Sequence, residues 1–182
     1  MRIIGGKYAG QVIKDPKGFN SRITTDRAKE ALFNILNSNF YFEEIKVLDM
    51  FGGSGNITYE FLSRGVKQIV VIEQNVKNFR FISANVKMLG EKEQVRLIKG
   101  DALKKIYDLK KEGFRFDLIF ADPPFAAKFL KDLPGLIFDL DMLADEGWLI
   151  LEHDKSHDFS SHPFWVEQRN YGGVLFSIFE KK

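Results

Sequence analysis

The chain has no cysteine among its 182 residues. Disulfides, thiolate zinc sites and a cysteine nucleophile are excluded with it. The absence suits a reducing compartment. Histidine is scarce: His153, His157 and His162 are the only three, and all fall in one late polar stretch. No tight ligand pair on one helix or hairpin face is evident there, so the chain is read as metal-free. No Ser-His-Asp arrangement can be argued either. No apolar run approaches the ~20 residues of a membrane span, and residues 1–6 do not read as a signal peptide. There is no internal repeat and no low-complexity linker.

What is present is ordinary globular material, 45% hydrophobic and 29% charged, in a length that suits one domain with a core of its own. The net charge of +2 hides an asymmetry. Residues 1–29 hold seven cations (Arg2, Lys7, Lys14, Lys17, Arg22, Arg27, Lys29) and two anions (Asp15, Asp26), a net +5; the remainder holds 20 cations and 23 anions, a net −3. A basic arm on a mildly acidic body suits a polyanionic partner met by the N-terminus, and equally a solvated surface.

Along the chain, residues 2–4, followed by Gly5-Gly6, and 11–14, followed by Asp15-Pro16-Lys17-Gly18, read as short strands broken by glycine that form a small hairpin. A helix follows, capped by Thr25 or Asp26, with Ala28, Ala31, Leu32, Ile35 and Leu36 on one face. From residue 46 apolar strands alternate with helices. Strands are expected at 47–51, 68–73, 95–99, 116–121 and 148–153, with two more at 164–170 and 174–180 joined through Tyr171-Gly172-Gly173. Helices are expected from the Gly52–Gly55 turn to about Arg64, and from Asn75 to Gly90. Helical segments over 127–143 are interrupted by Pro134-Gly135. This pattern means a mostly parallel sheet covered on both faces, with an antiparallel C-terminal edge. Ligands in such sheets sit outside the carboxyl ends of the strands.

The residues at those ends carry chemistry. Asp49-Met50-Phe51-Gly52-Gly53-Ser54-Gly55 closes one strand with a turn that a ligand can approach closely, before a helix N-terminus able to face an anionic group. Glu73 ends the next strand, 20 residues after Gly53, where a carboxylate can accept from both hydroxyls of a ribose. Together they indicate a nucleoside-containing cofactor. Thr58 stands where a dinucleotide fingerprint carries Gly or Ala. Asp101, before Ala102, could accept from an adenine amino group or could simply cap a helix. The sharpest motif is Asp122-Pro123-Pro124-Phe125. An amino group on an aromatic base is a poor nucleophile, because its lone pair is delocalised into the ring. Acceptors that hold both its N–H bonds favour rehybridisation as a methyl arrives. The Asp122 carboxylate and Pro123 carbonyl are such acceptors, two prolines stiffen the turn, and Phe125 can stack on a base that is unpaired or flipped.

Asp49 to Gly55, Glu73, Asp101 and Asp122 to Phe125 together resemble the class I S-adenosylmethionine-dependent methyltransferases of the Asn/Asp-Pro-Pro-aromatic, amino-methylating type. Four further features are similar to the 16S ribosomal RNA guanine-N2 methyltransferase family (RsmD): Met1-Arg2-Ile3-Ile4-Gly5-Gly6, the Arg22-Ile23-Thr24-Thr25-Asp26-Arg27 block, Glu30-Ala31-Leu32-Phe33-Asn34, and Glu60 with Leu62-Ser63-Arg64-Gly65. The late Tyr171-Gly172 fits as well. The resemblance covers nearly the whole chain.

It implies a Rossmann-like fold with a seven-stranded sheet. Residues 1–40 would form an RNA- and cofactor-covering hairpin and helix within the same unit as a methyltransferase domain, 41–182. It implies methyl transfer from S-adenosylmethionine to N2 of one guanine in 16S ribosomal RNA, in the small subunit or its assembly intermediate. Asp49, Gly52, Gly53, Ser54, Gly55, Glu73, Asp101 and Ala102 would hold the cofactor. Asp122, Pro123, Pro124 and Phe125 would hold the target base, and Arg2, Lys7, Arg22, Thr24, Asp26 and Arg27 would meet the RNA. A cytoplasmic monomer without membrane association is expected. Ile23 stands where the family has Pro, and Thr58 where it has a small Gly that lets helix and sheet pack closely. The competing readings are an exocyclic-amino methyltransferase acting on DNA or another RNA, and a non-catalytic RNA-binding assembly module.

Overall fold

The computed structural model describes residues 1–14 and 24–182. The expected turn at Asp15-Pro16-Lys17-Gly18, together with Arg22 and Ile23, lies outside the described residues. The elements in chain order are α1 (Asp26–Asn39), β1 (Lys46–Asp49), α2 (Asn56–Ser63), β2 (Gln68–Glu73), α3 (Val76–Leu89), β3 (Val95–Lys99), α4 (Ala102–Lys111), β4 (Phe116–Ala121), α5 (Leu133–Asp139), β5 (Leu143–His153), β6 (Trp165–Tyr171) and β7 (Val174–Glu180).

The seven strands form one sheet in the order β3-β2-β1-β4-β5-β7-β6. The first five are parallel, and β7 pairs antiparallel with both β5 and β6. The expected α/β architecture with an antiparallel C-terminal edge is thus present. Alternate residues of each strand face opposite layers, as a period of two requires. Val47, Val71, Leu118, Phe120 and Ile150 pack with α1, α2 and α3; Leu48, Val70, Ile72, Ile119 and Leu151 pack with α4 and α5. Burial on both faces explains why these strands read as continuous apolar runs. The order reverses at β1 and β4, so the crevice beyond their carboxyl ends is the switch point of the sheet.

Local signals account for the boundaries. The Thr25 hydroxyl accepts from the Ala28 amide, and the Asn75 side chain accepts from the amides of Lys77 and Asn78. Gly90 ends α3 with φ of 78°. β6 and β7 join through Gly172 and Gly173, at φ 64° and 92°, the left-handed pair that a two-residue hairpin turn demands. Pro134 does not interrupt a helix: it sits in the first turn of α5, where its missing N–H is no loss. β5 begins five residues before the expected start, crossing Gly147 beside a register shift against β4.

The expected N-terminal hairpin is present: Arg2 and Val12 form an antiparallel bridge, and across it the Ile3 amide donates to the Gln11 carbonyl at 3.0 Å, Gly10 to Ile3 at 2.9 Å and Ile13 to Met1 at 2.9 Å. The segment between its arms docks on α2. The Lys7 amide donates to the Ser63 carbonyl at 2.7 Å, Tyr8 to the Ser63 hydroxyl at 2.9 Å, and Ile4 to the Glu60 carboxylate at 2.6 Å. Gly6, at φ +77°, lies so close to the Ser63 carbonyl that a side chain would collide with it. One side chain of α1 completes the attachment. Lys29, 1% exposed, donates to the Arg2 carbonyl at 2.5 Å, to Asn56 Oδ1 at 2.9 Å and to Glu60 Oε1 at 2.9 Å. Glu60, fully buried, also pairs with Arg64.

A buried carboxylate that loses its cation is left under-compensated. Lys29→Met should therefore lower unfolding free energy by about 3 kcal/mol, read by denaturant titration. The amides of Ile3, Ile4 and Ile13 should exchange faster with solvent in that variant.

Candidate functional site

Beyond the carboxyl ends of β1, β2, β3 and β4 lies a cavity of about 490 Å³. β1 and β4 deliver Asp49 and Asp122 to it, β2 delivers Glu73, and the turn after β3 delivers Asp101. The Gly-rich turn gives Gly52, Gly53 and Ser54 to the wall, and Asn56 and Ile57 of α2 continue it. Pro123, Pro124 and Phe125 form the facing side with Phe129, whose ring stacks on Phe51 at 6.1 Å and 11°. Ala102 lines the cavity and Gly55 does not. Gly55 takes φ +81°, and a Cβ there would fall 2.5 Å from the Tyr59 ring, so the turn before α2 is closed to any side chain.

The carboxylates are held differently. Asp49 is 1% exposed; its Oδ2 accepts from the Thr58 hydroxyl at 2.6 Å, and its Oδ1 has no hydrogen-bond partner among the described residues. Burial pushes its pKa up to about 6, with the Glu73 charge adding to the rise and the Thr58 bond opposing it. Thr58, where the sequence pattern expects a small glycine, thus serves as the donor that seats this acid. Glu73 accepts the Gly53 amide at 2.7 Å on Oε2 and the Asn75 amide at 2.6 Å on Oε1. Burial raises its pKa, and these backbone donors act the other way. Asp101 is exposed and caps α4, accepting the Lys104 amide at 3.2 Å. The capping reading of Asp101 therefore holds, at a position that also borders the cavity. Asp122 and Phe125 are half-buried, Pro123 is buried and Pro124 exposed. The Pro124 carbonyl accepts the Ala127 amide at 2.8 Å, which closes a tight turn after β4.

Among the described residues, four carboxylates and no Lys, Arg or His line this cavity. Such a wall, concave and partly apolar, selects a ligand that carries positive charge and disfavours a polyphosphate.

Of the basic-arm residues, Thr24 reaches the cavity wall. Arg2 pairs with Asp26 at 3.2 Å, both well exposed. Lys7 pairs with Glu91 at the far end of α3 and lies over the Tyr8 ring at 5.2 Å. Arg27 is exposed in the first turn of α1. Arg22 is outside the described residues. The late histidines belong to no metal-holding cluster among the described residues. His153 is fully buried between Ser177 and the Asp154 carbonyl, each 2.8 Å away, and burial lowers its pKa. His162 packs against Phe138 and Phe179. Sequence reasoning missed Asn56 and Phe129 in the wall. Asn56 follows the last glycine of the turn and Phe129 lies four residues beyond Phe125, but neither position has a distinctive spacing.

Three comparisons frame this geometry. The chain is 34% identical over 185 residues to YlbH of Bacillus subtilis, with both chains covered completely. It is 29% identical over 192 residues to ribosomal RNA small subunit methyltransferase D of Escherichia coli strain K12, covering all of this chain and 90% of that one. Its fold matches the solved structure of a hypothetical protein from Thermus thermophilus with a TM-score of 0.86 at 29% identity, covering 99% of each chain. Matched over residues 1–180, this chain belongs to the family described as Conserved hypothetical protein 95, the RsmD-like methyltransferases.

Proposed function

We propose that this protein transfers the methyl group of S-adenosylmethionine to the exocyclic N2 of one guanine in the 16S ribosomal RNA of the small subunit. The observation that carries this reading is the cavity. Four carboxylates line a wall that holds no Lys, Arg or His among the described residues, and an Asp-Pro-Pro-Phe turn closes it. One of the four, Asp49, keeps a buried oxygen that has no hydrogen-bond partner among the described residues. The residues suit a ligand with an ammonium, a ribose and an adenine. Asp49 Oδ1 accepts from the ammonium, and the Gly52–Ser54 backbone runs beside the methionine part. Glu73, already aligned by two amides, takes the ribose diol. Asp101 keeps Oδ2 for the adenine amino group while Oδ1 caps α4, and Ala102 packs beside the ring. When bound, S-adenosylmethionine supplies a methyl carbon made electrophilic by its sulfonium.

The chain's own part is positioning. Phe125 stacks on the flipped or unpaired guanine. The Asp122 carboxylate and the Pro123 carbonyl accept the two N–H bonds of N2 and so localise its lone pair toward the methyl. Pro123 and Pro124 stiffen that acceptor pair. N2 becomes acidic only as it gains the methyl, so an ordinary carboxylate suffices to take the proton. Most of the catalysis is orientation and fixed charge.

Residues 1–40 act as an RNA-facing extension of the same unit as residues 41–182. Arg2, Lys7, Arg22, Thr24, Asp26 and Arg27 meet the RNA. Arg2 exchanges an exposed ion pair of small energy for a phosphate. The protein works as a cytoplasmic monomer on the subunit or its assembly intermediate.

Incubation with methyl-labelled cofactor and three acceptors tests the reading: undermethylated small subunits, their protein-free RNA, and duplex DNA. Label is expected in N2-methylguanosine from the RNA acceptors, and label in a DNA base would refute the substrate. Asp122→Ala should lower kcat by about 10²–10³, the size of one lost charge-stabilising contact, with cofactor affinity by calorimetry nearly unchanged. The raised pKa of Asp49 predicts a pH effect. An acid whose folded pKa lies above its unfolded value is protonated in the folded state between the two, so cofactor binding that needs the carboxylate weakens as pH falls through about 6. Affinity at pH 5 should be about tenfold weaker than at pH 7.5, and Asp49→Asn should be weak and flat across that range. For the same group the sign for stability is opposite: its contribution is present below the unfolded pKa and lost as pH rises through about 6.

A further inference from the structure

We infer that Asn56 and Glu152 are positioning residues that clamp Thr24 into the cavity wall and tie the N-terminal arm to the Gly-rich turn. This inference rests on the proposed methyl transfer to RNA for its kinetic readout.

Thr24 is 4% exposed and borders the cavity immediately before the Thr25 cap of α1. It is gripped from two elements that are far apart in sequence. Its hydroxyl donates to Glu152 Oε2 at 2.8 Å, near the carboxyl end of β5, and its carbonyl accepts from Asn56 Nδ2 at 3.1 Å, at the start of α2. Glu152 is 1% exposed and Asn56 7% exposed. Both bonds are therefore shielded from water, which makes them directional and hard to replace by solvent.

The amide of Asn56 has one workable orientation. Lys29 has only donors, and its ammonium is 2.9 Å from Asn56 Oδ1, so the oxygen must face Lys29. The NH₂ is thereby committed to the Thr24 carbonyl. Lys29 also takes the Arg2 carbonyl and Glu60. One side chain of α1 thus sets the direction of the Asn56 amide, and that amide sets the position of Thr24. Asn56 follows Gly55 directly, so the same residue moves with the cofactor-side turn. Displacement of the arm would shift the wall that faces the target base while the carboxylates on β1 and β2 stay in place.

The informative variant is Asn56→Asp. A carboxylate keeps the acceptor for Lys29, so the buried cation stays satisfied. It also presents an acceptor to the Thr24 carbonyl, which repels it. Misplacing a group near the reacting atoms by about 1 Å costs up to about 10²-fold in rate. With small-subunit RNA as acceptor, kcat is expected to fall about 10–100-fold. S-adenosylmethionine affinity by calorimetry should stay within about threefold, with the thermal midpoint unchanged. Amides over residues 24–28 should exchange faster.

A kcat close to the wild-type value overturns the inference. So does a parallel loss of cofactor affinity and thermal stability, which would make Asn56 only a structural part of the turn. If Asn56→Asp does not fold, a Glu152 pair decides: Glu152→Gln retains an acceptor for the Thr24 hydroxyl and should retain kcat, whereas Glu152→Leu should lose it. Equal behaviour of the two overturns the clamp. If the wild-type protein labels no RNA, the substrate reading falls, and hydrogen exchange then decides the clamp alone. Faster exchange over residues 24–28 in Asn56→Asp supports it, and unchanged exchange refutes it.

Discussion

Lys29 carries its ammonium into the interior, and the arrangement of the N-terminal third follows from where that charge must go. A lysine at 1% exposure cannot be held by one carboxylate alone; it needs a partner for each of its three N–H bonds. Glu60 supplies the countercharge, and Arg2 and Asn56 supply neutral acceptors. Those partners lie on α2, on the arm and at the lip of the cavity. Satisfying one cation therefore fixes three parts of the molecule against each other. The geometry also leaves Glu60 with more than one donor, since it takes the Ile4 amide and Arg64 as well. A network this closed is worth more as a registration device than as a source of stability, because desolvation offsets much of the attraction.

The cavity works by the opposite logic. Its acids are gathered in a wall that holds no Lys, Arg or His among the described residues, which costs folding energy and makes the site receptive to a cation. Asp49 shows this most directly: burial raises its pKa, Glu73 raises it further, and one of its oxygens has no hydrogen-bond partner among the described residues. The Thr58 hydroxyl limits that cost by giving the other oxygen a short bond at 2.6 Å. A side chain that looks out of place in the sequence pattern is thus integrated into the site. Family membership and the geometry agree on methyl transfer as the chemistry that uses such a cavity.

Much of the fold could be read along the chain because its central strands are buried on both faces. Gln68–Glu73, Val95–Lys99, Phe116–Ala121 and Val174–Glu180 fall where their apolar runs put them, and Asn75 and Gly90 bound α3 by the capping chemistry their side chains predict. The misreading at Pro134 has a physical cause. Pro134-Gly135 looked like a break, yet proline in a first helical turn breaks nothing. The N-terminal hairpin pairs as its residues suggest, but its docking on α2 depends on contacts some 55 residues away. The carboxylates at the strand ends were legible from position alone. Asn56 and Phe129 were not, since an asparagine after a glycine and one more phenylalanine among 18 carry no pattern of their own.

The amino-acid sequence by itself determined the period-two and helical alternation, the glycine turn and the acids at the strand ends. With them came the Asp-Pro-Pro-Phe motif and the resemblance they carry. These are local matters, set by side-chain size, φ preference and spacing along one element. Only the tertiary structure decided which acid oxygen lacks a partner, which cation is buried, and which residues meet across the cavity. Those outcomes depend on desolvation and on donors and acceptors brought together from α1, α2 and β5. Burial and pairing arise only when the layers close, and nothing in the spacing of residues along the chain encodes them directly.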